Sequence, residues 1–138
     1  MVVTPLYAGL LTLWFALLSV RVMNIRRRGI AFGDSGDIGV TRIIRAQANF
    51  AEYVPLALLM MGFLEVTRFS IYLLHALGVI LVVARLFHGL ALSFGWQVRF
   101  GRVSGAALTL IVLLIESVLC LYQGIRGQSL WLAAGVGS

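Results

Sequence analysis

The chain has 138 residues, of which 61% are hydrophobic and 12% charged, with a mean hydropathy of +1.01 and a formal net charge of +6. That composition excludes an ordinary soluble domain, and a single cysteine excludes a disulfide-stapled scaffold. All eleven basic residues are arginine, so every permanent cation is a planar fork suited to carboxylates and phosphates.

Four apolar runs follow in chain order, each long enough to cross ~30 Å of hydrocarbon at roughly 1.5 Å per residue. Together they describe an all-α integral membrane protein, a single up-down-up-down four-helix domain over residues 1–138. The first helix is placed at Leu6–Met23. Its uncharged start and basic end invert the polarity of a signal peptide, so it is expected to be a retained span. The connection "RRRGIAFGDSGDIG" reads as a surface loop, because its glycines and aspartates break helix. The second helix is expected at Ile43–Leu64 and the third at Phe69–Phe94, joined by the short stretch Glu65 to Arg68 as a tight antiparallel pair. "GWQVRFGR" reads as a second basic loop, the fourth helix as Val103–Tyr122, and the glycine-rich tail 124–138 as weakly structured. Cys120, inside the last apolar run, reads as a packing thiol.

Arginine placement predicts the topology. Arg26, Arg27, Arg28 and Arg42 flank the first connection and Arg99 and Arg102 the third, whereas the opposite side carries Arg68 and Arg126. The positive-inside rule puts both long connections in the cytoplasm and both termini outside, in the periplasm if the membrane is a bacterial inner membrane. The triplet Arg26 to Arg28 reads as a cluster that meets anionic headgroups and orients the first helix. No nucleic-acid recognition pattern accompanies these scattered cations, and no metal-ligand cluster is visible in the sequence.

Within "RAQANFAEYVP", Arg45, Asn49 and Glu52 share one helical stripe, because positions seven apart nearly eclipse and positions four apart lie close. Arg85, His88 and Leu92 form a similar stripe on the third helix, with Gly78 and Gly89 beside it. Counted from the cytoplasmic side, Glu52 and Arg85 both lie about nine residues, or roughly 14 Å, deep. An unpaired ion at mid-bilayer costs ~2.5–3.5 kcal/mol, so opposite charges at one depth predict a Glu52–Arg85 pair. Such a pair could serve only to pin two helices. The company of Arg45, Asn49 and His88, with Arg99 and Arg102 at the mouth, favours a graded polar cleft that holds a small anion. Glu116 is expected to satisfy His75 or a backbone group in a structural contact between helices; Thr109, Glu116, Cys120 and Gln123 share one face of the fourth helix.

"RAQANFAEYVP" closely resembles the opening of the second helix in the family of membrane-associated proteins in eicosanoid and glutathione metabolism, and "ARLFHG" is similar to that family's third-helix motif. The resemblance extends over nearly the whole chain and is strongest to the small bacterial branch. It implies homotrimers of four-helix subunits that bind glutathione between neighbours, at the cytoplasmic side, and act on lipophilic substrates dissolved in membrane lipid. By motif position, Arg45, Asn49, Glu52, Arg85 and His88 would hold glutathione as co-substrate. Arg102, or failing it Arg99, would stabilise the thiolate. The expected activity is that of a glutathione-dependent transferase or peroxidase. Three departures argue against a high rate: Leu92 stands where several active relatives have tyrosine, Ala48 replaces an arginine that some carry, and "VSGAALTL" lacks a tyrosine. A non-catalytic lipid- or partner-binding protein of the same fold is the alternative reading, and a small proton-coupled transporter using Glu52 is the third.

Overall fold

The computed structural model describes residues 1–30 and 32–133, with side chains to residue 130. They form four long helices, α1 (Val3–Arg27), α2 (Ile38–Val66), α3 (Ile71–Phe94) and α4 (Val98–Ala133). Each is long and apolar enough to cross a bilayer, and the all-α, four-helix membrane architecture read from the sequence is the one observed. Helices α2 and α3 each pack against all three others, while α1 and α4 do not pack together among the described residues.

Helix ends differ from the sequence reading in ways that place the site. Asp37 caps α2 by accepting from the backbone N–H groups of Gly39 (2.6 Å) and Val40 (3.2 Å), so the helix begins five residues before the expected Ile43. With 29 residues, α2 is ~43 Å long, roughly 13 Å more than the hydrocarbon thickness. The third connection is only Gly95 to Gln97. Gly95 takes a left-handed conformation (φ 77°) that closes α3, and "RFGR", expected in a loop, forms the first turns of α4. At its far end α4 continues through Gly124 and Gly127 to Ala133, where a weakly structured tail was expected from residue 124. The remainder of that tail, 134–138, lies outside the described residues.

Leucines dominate the buried core, with Leu11 and Leu18 of α1, Leu64 of α2 and Leu74, Leu77 and Leu81 of α3 almost fully enclosed. Leucine pairs alone give little drive for association in a bilayer, since lipid tails are equally apolar, so close approach at small residues matters more. The Tyr7 ring of α1 occupies the space where a Cβ on Gly78 would sit, and Trp14 does the same at Gly89. On the other side of α3, Gly105 of α4 lies so near that an added Cβ would come within 2.6 Å of the Ala84 carbonyl.

The remote end is held by an ionic cap. Glu65, at the end of α2, accepts from the backbone N–H groups of Val2, Val3 (2.8 Å) and Thr4 (2.8 Å), donors that the start of α1 leaves without helical partners. The expected His75–Glu116 contact does not form. His75 turns toward α1, where the Tyr7 hydroxyl lies 3.0 Å from its Nδ1 and donates to its carbonyl oxygen. Glu116 is fully buried with neither carboxyl oxygen hydrogen-bonded among the described residues. One turn on, the Cys120 thiol donates to the Met60 carbonyl at 3.6 Å, which agrees with its reading as a packing group.

Loss of a helix-capping carboxylate costs about 0.5–2 kcal/mol. Glu65→Ala should therefore lower the melting temperature of detergent-solubilised protein, with hydrogen exchange rising first in the opening turn of α1. Unchanged exchange there would show that the Glu65 cap contributes nothing.

Candidate functional site

The exposed and half-buried face of α2 recurs at Ile38, Thr41, Arg42, Arg45, Asn49 and Glu52, one stripe down the helix. Opposite it stand His88 and Leu92 from the last turns of α3, and Arg102 from the first turns of α4. Between them lies an open cavity of about 500 Å³ at the arginine-rich end of the bundle. Five of the seven residues singled out from the sequence meet in it: Arg45, Asn49, Glu52, His88 and Arg102. Arg99 does not line it, although it is exposed one turn away on α4.

Arg85 lies beneath the floor. It is almost fully buried, and its guanidinium donates to Asn49 Oδ1 (2.9 Å) and to the Gly105 carbonyl (3.2 Å). The expected ion pair with Glu52 is therefore absent among the described residues. Two neutral acceptors take the terminal nitrogens of the guanidinium, and the Glu52 side chain stays exposed along the open cavity. The physical reason is the close α3–α4 approach at Gly105: with no side chain in the way, its carbonyl reaches Arg85 directly. Asn49 is the hinge of the arrangement, because it also borders a second cavity of about 210 Å³ whose walls include Tyr53, Arg85 and Thr109.

The first connection is folded against the cavity rim. Arg26 donates to the carbonyls of Ile30 and Gly33, and the Thr41 hydroxyl donates to Asp34. That hydrogen bond, with a further one from the Gly36 backbone, holds the Asp34 carboxyl below its usual range. A lowered folded-state value means that the tie is present at neutral pH and is released only as the pH falls through that lowered value. Thr41 and Arg45 border both the main cavity and a shallower one against this loop.

Sequence reasoning missed Ile38, Thr41 and Arg42 as cavity residues because it began α2 too late. The signal was present in Asp37, an N-cap type placed where the stripe at 38, 41, 45, 49 and 52 requires the helix to start. It also missed Gly105, although Gly101 and Gly105 in "GRVSG" have the four-residue spacing of close helix contact in membranes.

The sequence that builds this geometry has relatives among known proteins. The profile of the MAPEG family matches residues 4–122. The chain belongs to the MAPEG family. It is also similar to the inner membrane protein YecN of Escherichia coli K12, with 31% identity over 115 residues covering 80% of this chain and 88% of that protein. YecN of Escherichia coli O6:H1 strain CFT073 matches to the same extent. No solved structure matches the chain.

Breaking a buried charged hydrogen bond from one side is worse than removing the charge itself. Asn49→Ala should cost about 1.5–3 kcal/mol of stability by depriving the Arg85 guanidinium of an acceptor, whereas Arg85→Met should cost less. Thermal unfolding of the two variants compares them, and an Asn49→Ala protein as stable as the native one would refute the role given to that bond.

Proposed function

We propose that this MAPEG protein binds glutathione in the α2–α3–α4 cavity and passes its thiolate to lipophilic electrophiles, as a transferase or peroxidase of the membrane. One observation carries the reading: the charge left over in the cavity once Asn49 and Gly105 have taken the two terminal nitrogens of Arg85. Among the described residues, Arg42, Arg45 and Arg102 make no ion pair with a carboxylate and Glu52 makes none with a cation, while all four line the cavity. Glutathione presents the complement, two carboxylates and a thiolate for the arginines and one ammonium for Glu52, and guanidinium forks bind such oxygens in pairs.

Arg102 is the residue that sets up the chemistry. It reaches the cavity from the opening turns of α4, near the membrane boundary. A guanidinium beside a thiol favours the thiolate, which is the nucleophile. In the transfer step the sulfur lone pair forms a carbon–sulfur bond to the electrophile, the leaving group departs with its bonding electrons, and the thiol proton has already passed to water. In the peroxidase variant the thiolate attacks the peroxide O–O bond and releases an alkoxide; a second glutathione then resolves the sulfenic acid to a disulfide. Both variants need a polar mouth for the peptide and an apolar flank for the co-substrate, and the exposed leucines and valines of all four helices provide the latter.

The exposure of Glu52, Tyr53, Arg42 and Arg45 on α2 supports a homotrimer in which a neighbour closes the open side of the cavity. Arginine asymmetry supports a bacterial inner membrane with both termini periplasmic, and the name of YecN supports the same membrane. Leu92 on the cavity wall favours one rival, a protein of this fold that binds glutathione or a lipid without turnover. The readouts separate them: binding without a thiolate absorbance band marks the rival.

Glutathione at a hundred times its dissociation constant should stabilise the detergent-solubilised protein by about 2.7 kcal/mol and produce a thiolate band. Arg102→Leu should abolish the band and conjugation of a lipophilic electrophile while leaving the melting temperature without ligand unchanged. No stabilisation by glutathione at any concentration would refute the binding reading, and a band that survives Arg102→Leu would remove Arg102 from the mechanism.

A further inference from the structure

Helix α1 contributes no side chain to the cavity, yet it grips the part of α3 that does. The Trp14 indole N–H donates to the Arg85 carbonyl oxygen at 3.1 Å. Its ring lies against Gly89, where any Cβ would come within 2.8 Å of the indole. It also stacks on Phe94, with ring centroids 6.2 Å apart and planes at 23°. One step nearer the membrane boundary, Arg21 lies over the other side of this cluster, its guanidinium carbon 4.0 Å from the Phe94 ring centroid. The same guanidinium donates to the Ser93 carbonyl at 2.6 Å. The segment from Arg85 to Phe94 is thus held from the α1 side at both ends while His88 and Leu92 face the cavity.

We propose that Trp14, backed by Arg21, is a positioning residue for the ligand cavity. Its hydrogen bond to the Arg85 carbonyl fixes the depth and rotation of α3 at which the Arg85 guanidinium reaches both Asn49 and Gly105 and His88 faces the bound molecule. A helix packed on leucines in lipid slides and turns at little cost, because one apolar contact replaces another. A directional bond to a backbone oxygen does not permit this, and in a membrane core no water competes for it. Gly89 is what lets the bond form, by admitting the indole to the helix surface. The bond acts on Arg85 and His88 through the backbone, so Trp14 itself touches no ligand.

The proposal rests on the glutathione reading for only one of its two tests. Trp14→Phe keeps an aromatic ring against Gly89 and Phe94 and deletes the N–H. Without ligand, hydrogen exchange of the 85–94 segment should rise while α2 and α4 keep their protection, since local opening is reported segment by segment. With glutathione, the dissociation constant should rise about tenfold, alongside only a modest fall in the ligand-free melting temperature from the loss of one bond. Unchanged exchange in that segment would overturn the proposal, as would unaltered glutathione affinity in a native protein that binds it. If the native protein does not bind glutathione while exchange still rises locally, the positioning role stands and the glutathione reading falls. Should Trp14→Phe fail to fold, Arg21→Gln decides in its place. It removes the hold on Ser93 and Phe94 at the membrane boundary, and the same two measurements apply with the same reversing results.

Discussion

A guanidinium buried between three membrane helices must find acceptors there, and the way Arg85 finds them governs the rest of this protein. A charge at the bilayer centre is costly, and a carboxylate partner at the same depth is on offer in Glu52. The chain uses Asn49 and a backbone carbonyl instead. Neutral acceptors compensate a cation less completely than a carboxylate would, but they tie α2, α3 and α4 together at one point and leave Glu52 unspent. The cavity above consequently keeps both signs of charge available, which a pocket closed by its own ion pair would not.

Backbone proximity makes this possible. Gly105 presents its carbonyl because α4 comes within touching distance of α3, and Gly101 one turn earlier makes the same approach to the Phe87 carbonyl and Ala91. On the opposite flank, Gly78 and Gly89 admit Tyr7 and Trp14, each of which donates to a carbonyl oxygen of α3. The third helix is therefore fixed by polar bonds from α1, α2 and α4, and those from α1 and α4 lie where a glycine removes the steric obstacle. In lipid, where burial of leucine supplies little net drive, these bonds and the tight packing around them carry the specificity.

Spans and the stripe of α2 were legible because each follows from spacing alone: apolar runs of membrane length, and Arg45, Asn49 and Glu52 at intervals of four and three. The partners of buried charges were not legible in the same way. Equal depth made Glu52 and Arg85, and likewise His75 and Glu116, look like pairs, but depth leaves rotation and interhelical distance undetermined. Arg85 went to Gly105 and Asn49, and His75 to Tyr7, because close approaches at glycine brought backbone and aromatic groups nearer than the carboxylates. The ends of α4 were misread for a related reason. Gly101, Gly124 and Gly127 count as helix breakers in water, whereas a bilayer enforces backbone hydrogen bonding and glycine is common in its helices.

The arginines serve two physical ends that the structure separates. Arg27 and Arg28 are exposed beyond the last turn that packs in α1 and do not line the cavity, a position suited to a topology signal at anionic headgroups. Arg42, Arg45 and Arg102 share the boundary depth yet converge on the cavity. A topology signal needs only charge near an interface and is indifferent to direction. Convergence from two helices onto one space is not required by orientation in the membrane, and mutual repulsion of the three cations opposes it. The repulsion is tolerable where an anion occupies the space between them. Glu52 lines the same cavity and has no ion-pair partner among the described residues, so on the proposed reading a ligand ammonium or a neighbouring subunit supplies the cation that an exposed carboxylate in a membrane needs.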